Sequence, residues 1–258
     1  MLNYIRSEFY RVFHGKEFYL FTGIVAALSV LMNIVLYLFQ TNTPNFPYGS
    51  VRYSLNLLSG TMEVLFYMGA ILTSFLFSEE HKSGTMKNTI SFGVSRSQFF
   101  TGKCIVCCTV SVLSMIVIMA FYYGSAYLLL DHPGDITVLD RLRGVAANLP
   151  MAFASVILAA ALFSLFKKDM IAIIVWFIIM TFLPNIIFLL GLKIDWLNGA
   201  AKWMPRNYLR MEVVVNMSKY QVLWDTPEGM EKCLIAGCIG IVVFYLFGSA
   251  AFRKKELV

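Results

Sequence analysis

Long apolar runs alternate with short polar clusters along the chain, and the alternation predicts its elements. Six runs, at about 18–39, 55–77, 104–130, 145–166, 170–192 and 233–252, contain a single charged residue between them, Glu63. Each has about 20 residues or more, the length a helix needs to cross a hydrocarbon core of roughly 30 Å. Residues 1–17 follow another period. Leu2, Ile5, Phe9, Val12 and Phe13 recur at three- and four-residue spacing, and Arg6, Ser7, Arg11 and His14 fall mainly on the other side. That is an amphipathic helix suited to lying in the headgroup layer. The run at 18–39 is too long for a cleaved signal peptide, and no small-residue cleavage site follows it.

Breakers separate the runs. The stretches Thr41–Pro47 and Asp131–Asp135 are turn-rich, and Lys167-Lys168-Asp169 makes a short hinge. Pro150 falls in the first turns of the fourth run, while Pro184-Asn185 interrupts the fifth, where proline removes a backbone hydrogen bond and predicts a kink. Residues 193–232 form the longest non-spanning segment. Trp196, Trp203, Tyr208, Tyr220 and Trp224 suit a membrane interface. The apolar patches Trp196-Leu197 and Met211–Val215 are too short to span and predict short re-entrant or interfacial helices.

Composition narrows the class. Of the 258 residues 59% are hydrophobic and 14% are charged, against about 25% charged in soluble domains. No room is left for a separate soluble domain. The net charge of +6 reflects loop lysines and arginines, whose distribution sets orientation. With the N-terminus inside, inner segments carry 12 Lys and Arg residues and the two shorter outer loops carry three, Arg52, Arg141 and Arg143. The long outer segment carries six, offset by nine acids on that side. Six spans with both termini cytoplasmic follow. Cys104, Cys107, Cys108, Cys233 and Cys238 lie in or beside apolar runs, without a second pair or a nearby histidine to complete a metal or redox motif.

The polar island at 78–103 carries the most local information. Ser83-Gly84-Thr85 breaks the helix leaving the second span, and Thr85 can cap a short helix whose Met86 and Ile90 share a face. Gly93 can end it in the left-handed conformation. Ser95 and Gln98 form a capping box for the next helix, with Val94 and Phe99 placed as its hydrophobic staple. Glu79, Glu80, Lys82, Lys87, Arg96 and Lys103 ring this helix with both signs of charge. Such a surface suits docking to a partner, and equally a plain solvated loop.

The same residues resemble the signature of ABC-2 type transporter permeases: an acid, Gly-Thr with a basic residue, Gly-x-Ser-Arg and a later lysine. These positions are Glu79 or Glu80, Gly84, Thr85, Lys87, Gly93, Ser95, Arg96 and Lys103. The whole-chain pattern agrees. The resemblance implies an all-α membrane protein with six transmembrane helices, an N-terminal elbow helix and a cytosolic coupling helix between spans 2 and 3. It implies a bacterial plasma-membrane exporter subunit that pairs with a second permease, a homodimer before a heterodimer. A separate ABC ATPase would hold ATP and Mg, and this chain would bind no cofactor itself. Coupling residues would be Glu79, Glu80, Lys82, Gly84, Thr85, Met86, Lys87, Ile90, Gly93, Ser95, Arg96 and Lys103. Size and minimal loops look most like bacteriocin-immunity and phenol-soluble modulin exporters, implying an amphipathic or antimicrobial peptide cargo. Alternatives are a drug, lipid or sodium exporter, or a non-transporting sensor or anchor subunit.

Catalytic motifs fail on spacing. Gly93 and Gly102-Lys103 are too far apart for a phosphate loop, and Cys104 stands where Ser or Thr belongs. Glu79-Glu80 resembles the paired glutamates of intramembrane metalloproteases, but Gly84 replaces the required arginine and His14, His81 and His132 are scattered. Gly93-Val94-Ser95-Arg96-Ser97 lacks the last glycine of a nucleophile elbow. For cargo, Asn33, Glu63, Thr73 and Asn185 are the polar candidates within spans; such residues also serve as hydrogen bonds between helices.

Overall fold

The computed structural model describes residues 1–44, 46–60, 63–83, 85–131, 138–166, 168–201, 203–204, 214–216, 219–221, 224 and 226–255. It is an all-α membrane protein. The helices are α1 (Leu2–His14), α2 (Glu17–Asn42), α3 (Val51–Gly60), α4 (Val64–Ser83), α5 (Thr85–Ser91), α6 (Arg96–Leu129), α7 (Val138–Leu165), α8 (Asp169–Phe177), α9 (Leu183–Gly191), α10 (Asp195–Ala201) and α11 (Pro227–Lys254). Among the described residues, five helical stretches are long and apolar enough to cross a membrane: α2, α6, residues 142–165 of α7, α8 through α9, and α11. The apolar stretch Val64–Ser78 of α4 is shorter.

Helix ends differ from the hydropathy boundaries where polar residues continue a helix out of the apolar zone. The third run reads as starting at Cys104, yet α6 starts at Arg96 and has 34 residues. At 1.5 Å per residue that is about 51 Å, well beyond a hydrocarbon core, so the polar first turns of α6 form a stem. In the second run, residues 55–60 belong to α3, and α4 begins at Val64. Pro150 is in the middle of α7, 12 residues after its start, rather than in its first turns. It packs against α11, where a Cβ on Gly237 would come within 2.5 Å of the Pro150 Cβ.

The fifth run shows how a proline is accommodated in a membrane helix. Between α8 and α9, residues Ile178–Phe182 form a π-helical turn immediately before Pro184. The proline ring has no N–H to donate back along the helix, and the wider turn takes up the mismatch. Thr181 Oγ1 in that turn shares a 2.8 Å hydrogen bond with the Tyr67 hydroxyl of α4.

The segment after α9 departs from expectation. Trp196-Leu197 lies in the short α10, but Val214–Asn216 (β1) and Lys219–Gln221 (β2) pair as an antiparallel hairpin, with Val215 opposite Tyr220. The patch at 211–215 was expected to be helical. Its Val-Val pair is β-branched, which favours a strand. Tyr208 and residues 211–213 lie outside the described residues.

The bundle is built around α7. Within its apolar stretch 78% of residues are buried, against 22% in α2. Small residues explain why: Ala154, Ala159, Ala160 and Ala161 are fully covered. On the facing helix, a Cβ on Gly248 would meet Phe100 Cζ at 2.4 Å and Ala161 Cβ at 2.6 Å. Close packing of this kind replaces the hydrophobic effect as the drive for helix association in lipid. Gly248→Val should therefore destabilise the bundle by about 1–3 kcal/mol, the usual cost of overpacking. Gly124→Ala, where a Cβ meets nothing within 4 Å, should be neutral or stabilising by up to about 1 kcal/mol. Thermal melts of the two variants in nanodiscs separate these outcomes.

Candidate functional site

The island at 78–103 carries the short α5 between α4 and α6, with a turn at Gly93; the expected break at Ser83-Gly84-Thr85 centres on Gly84, which lies outside the described residues. Helix α4 continues through Ser83, α5 occupies Thr85–Ser91, and Gly93 turns the chain at φ +92°. Ser95 then caps α6 reciprocally. Its Oγ accepts from the Gln98 N–H at 3.2 Å, and its own N–H donates to Gln98 Oε1 at 3.2 Å. Two of the donors that every helix start leaves open are thereby satisfied.

The apolar face of α5 points inward. Met86 is buried and Ile90 is half-buried, both against the chain's own core. The pairing on one face holds, but that face attaches α5 to the bundle instead of offering it to a partner. The exposed apolar residue is Phe92, 87% accessible, beside exposed Asn88 and Ser91. Sequence reasoning missed it because periodicity groups Met86 with Ile90 and leaves Phe92 at the break. Glu79, Glu80 and Lys82 lie on the last turns of α4, and Thr85 and Lys87 on α5. Their side chains, and Gly84 entirely, lie outside the described residues.

Two basic residues expected on the charged rim have structural partners. Arg96 Nη1 donates to the backbone carbonyls of Arg253, at 2.7 Å, and Lys255, at 2.6 Å. It thus caps the open carbonyls at the end of α11. Arg253 Nη2 donates back to Ser97 Oγ at 3.3 Å, and Lys255 Nζ donates to the Ser164 carbonyl of α7 at 2.8 Å. The α6 stem, the end of α11 and the end of α7 are joined there.

Lys103 is a correction: it is 1% exposed. Its Nζ lies 2.6 Å from Glu8 Oε2 of α1, and 5.2 and 5.8 Å from the ring centres of Phe77 and Phe99. Glu8 Oε2 also takes a 2.9 Å contact from Arg11 Nη2, and Arg11 donates to the Leu76 carbonyl of α4 at 3.2 Å. The buried stripe of α1 is consequently Tyr4, Glu8 and Val12, while Leu2 is exposed. The three- and four-residue pattern grouped Leu2 with Ile5, Phe9, Val12 and Phe13 on the apolar side and passed over Tyr4 and Glu8. The acid turns in because a buried ammonium requires a carboxylate, and removing one member of such a pair costs about 3–5 kcal/mol. Around the pair, Tyr4 stacks on Phe99 at 5.5 Å, and Phe99 stacks on Phe252 of α11 at 5.5 Å.

The four span candidates for cargo contact are not brought together. Asn33 is fully buried and hydrogen-bonded: its Nδ2 donates to the Tyr122 carbonyl (3.0 Å) and Ser125 Oγ (2.8 Å), and its Oδ1 accepts from Ser54 Oγ (2.7 Å). Thr73, also fully buried, donates to the Gly69 carbonyl of its own helix at 2.7 Å. Glu63 lies half-exposed in the turn before α4, where its carbonyl accepts from the Phe66 N–H at 3.0 Å. Asn185 is half-buried on α9. Among the described residues no group of acidic, histidine or cysteine side chains could hold a metal ion.

Asn33→Leu should lower stability by about 1–2 kcal/mol, the range of hydrogen bonds between membrane helices, and leave any cargo response unchanged. A shifted cargo profile at native stability would instead return Asn33 to the transport path.

No curated protein matches the chain. A family model described as ABC-2 family transporter protein matches residues 1–252, from α1 to the last turn of α11. With that match spanning nearly the whole chain, and with the short α5 and the Gly93 turn between α4 and α6, the chain belongs to the ABC-2 transporter family as a multi-pass membrane permease whose ATP hydrolysis resides in an ABC ATPase partner.

Proposed function

We propose that this permease is the membrane half of an ATP-driven exporter in which α5 is the coupling helix that receives the ATPase stroke. The observation that carries this reading is the mounting of α5. It is anchored to the bundle through Met86 and Ile90, bounded by Gly93 and the Ser95–Gln98 capping box, and leaves Phe92 outward. A helix held on its inner face and hinged at its end moves with α4 and α6 when pushed. Two copies of the chain, with both termini cytoplasmic in the plasma membrane, pair around a central path whose access alternates. ATP and Mg are bound by two copies of the partner ATPase.

The proposed cargo is an amphipathic or antimicrobial peptide. This rests on the resemblance to small peptide-exporting permeases and on a bundle whose inner surfaces are rich in adaptable apolar side chains such as Met68, Met115 and Phe153.

Pull-down with a co-expressed ABC ATPase tests the coupling role. Glu79→Lys with Glu80→Lys, or Phe92→Ser, should weaken assembly by at least about tenfold, equivalent to 1.4 kcal/mol. Charge reversal that leaves both assembly and ATPase stimulation intact would sink the reading. For the cargo, ATPase stimulation of the reconstituted complex is measured against amphipathic peptides, lantibiotics, drugs, lipids and sodium. Stimulation by the peptides is expected, and a response confined to another class reassigns the cargo to it.

A further inference from the structure

The carboxylate of Glu8 stands where three helices meet, and its placement relative to α5 is symmetric. Leu76, whose carbonyl receives Arg11, lies seven residues before the end of α4 at Ser83. Lys103, whose ammonium meets Glu8, lies seven residues after the start of α6 at Arg96. Both roots of the coupling segment are thus held at a similar depth, about 10 Å along each helix from its end nearest α5, by one acid and one base on α1.

We infer that Glu8 is a positioning residue that makes α1 part of the moving body: α1, the end of α4 and the stem of α6 travel together when α5 is displaced. Three observations argue for common motion over sliding. Lys103 is buried beside Phe77 and Phe99 with Glu8 Oε2 2.6 Å from its Nζ, so withdrawing α1 takes that carboxylate away from a buried ammonium. Gly102 lets α1 approach α6 closely, since a Cβ there would lie 2.7 Å from Tyr4 Cε1. The Tyr4–Phe99 stack adds an apolar contact on the same line. In the alternative arrangement α1 stays in the headgroup layer as a fixed float and α6 slides past it, and a buried ion pair between the two opposes that.

The inference depends on the exporter reading for its ATP arm alone. Spin labels are placed at exposed Arg6 on α1 and Ile105 on α6, with the five native cysteines replaced, and their separation is measured in nanodiscs. For the permease by itself a narrow distribution is expected, broadened by Glu8→Gln and kept narrow by Glu8→Asp, which preserves the charge. In complex with the ATPase, the separation should be the same with and without trapped ATP. Glu8→Gln should then lower ATP-driven transport by at least about tenfold while the ATPase still co-purifies. A change of about one helical turn, 5 Å, between the two nucleotide states overturns the inference. So does a Glu8→Gln protein as narrow as the parent, or a Glu8→Asp protein as broad as Glu8→Gln. If Glu8→Gln does not reach the membrane, the nucleotide comparison in the parent decides. If no ATPase assembles with the parent, the exporter reading fails, and the widths in the permease alone still decide the role of Glu8.

Discussion

Hydrocarbon offers no hydrogen-bond partner to a polar group, and that constraint shapes this protein from end to end. Several backbone irregularities and polar side chains within the bundle are met by another group of the chain. Pro184 is accommodated by a π-helical turn whose Thr181 reaches Tyr67. Asn33 is saturated by Tyr122, Ser125 and Ser54, which ties α2 to α6 and α3. Trp176 donates its indole N–H to the Ser155 carbonyl at 3.2 Å, joining α8 to α7. The polar residues that hydropathy singles out as anomalies are, in these cases, the cross-links between helices.

Among the described residues, the ion pairs lie at the end that carries α1, α5 and the end of α11. The Glu8–Lys103–Arg11 cluster and the Arg96 cap on α11 are two clasps on the stem of α6. One reaches α1 and α4, the other α11 and, through Lys255, α7. Between them α5 is attached by Met86 and Ile90. A displacement of α5 therefore enters the bundle through several helices at once, which suits a part that takes up mechanical load. Among the candidate spans, α2 and α8 through α9 are the least buried.

Much of the island was legible because its signals are local. A glycine at the break, a Ser-x-x-Gln box and a flanking Val and Phe need only a few residues to be read, and Gly93, Ser95 and Gln98 behave as that grammar requires. Direction was not legible. Met86 and Ile90 share a face by periodicity, but whether that face meets a partner or the parent bundle depends on where α4 and α6 stand. Lys103 looked like one more rim charge because its partner is 95 positions away in sequence.

The chain by itself determined its class, its apolar runs, the turn at Gly93 and the cap that opens α6, since each follows from residue type at short spacing and from the length of a helix that crosses lipid. Only the tertiary structure decided that residues 55–60 belong to α3 and that Val214–Asn216 pairs with Lys219–Gln221. It alone brought Glu8 inward to Lys103 and made Asn33 a cross-link. For Glu8 and Asn33 the physical reason is the same: burial of a charge or an amide is tolerable only beside its complement, and the complement lies on a different helix.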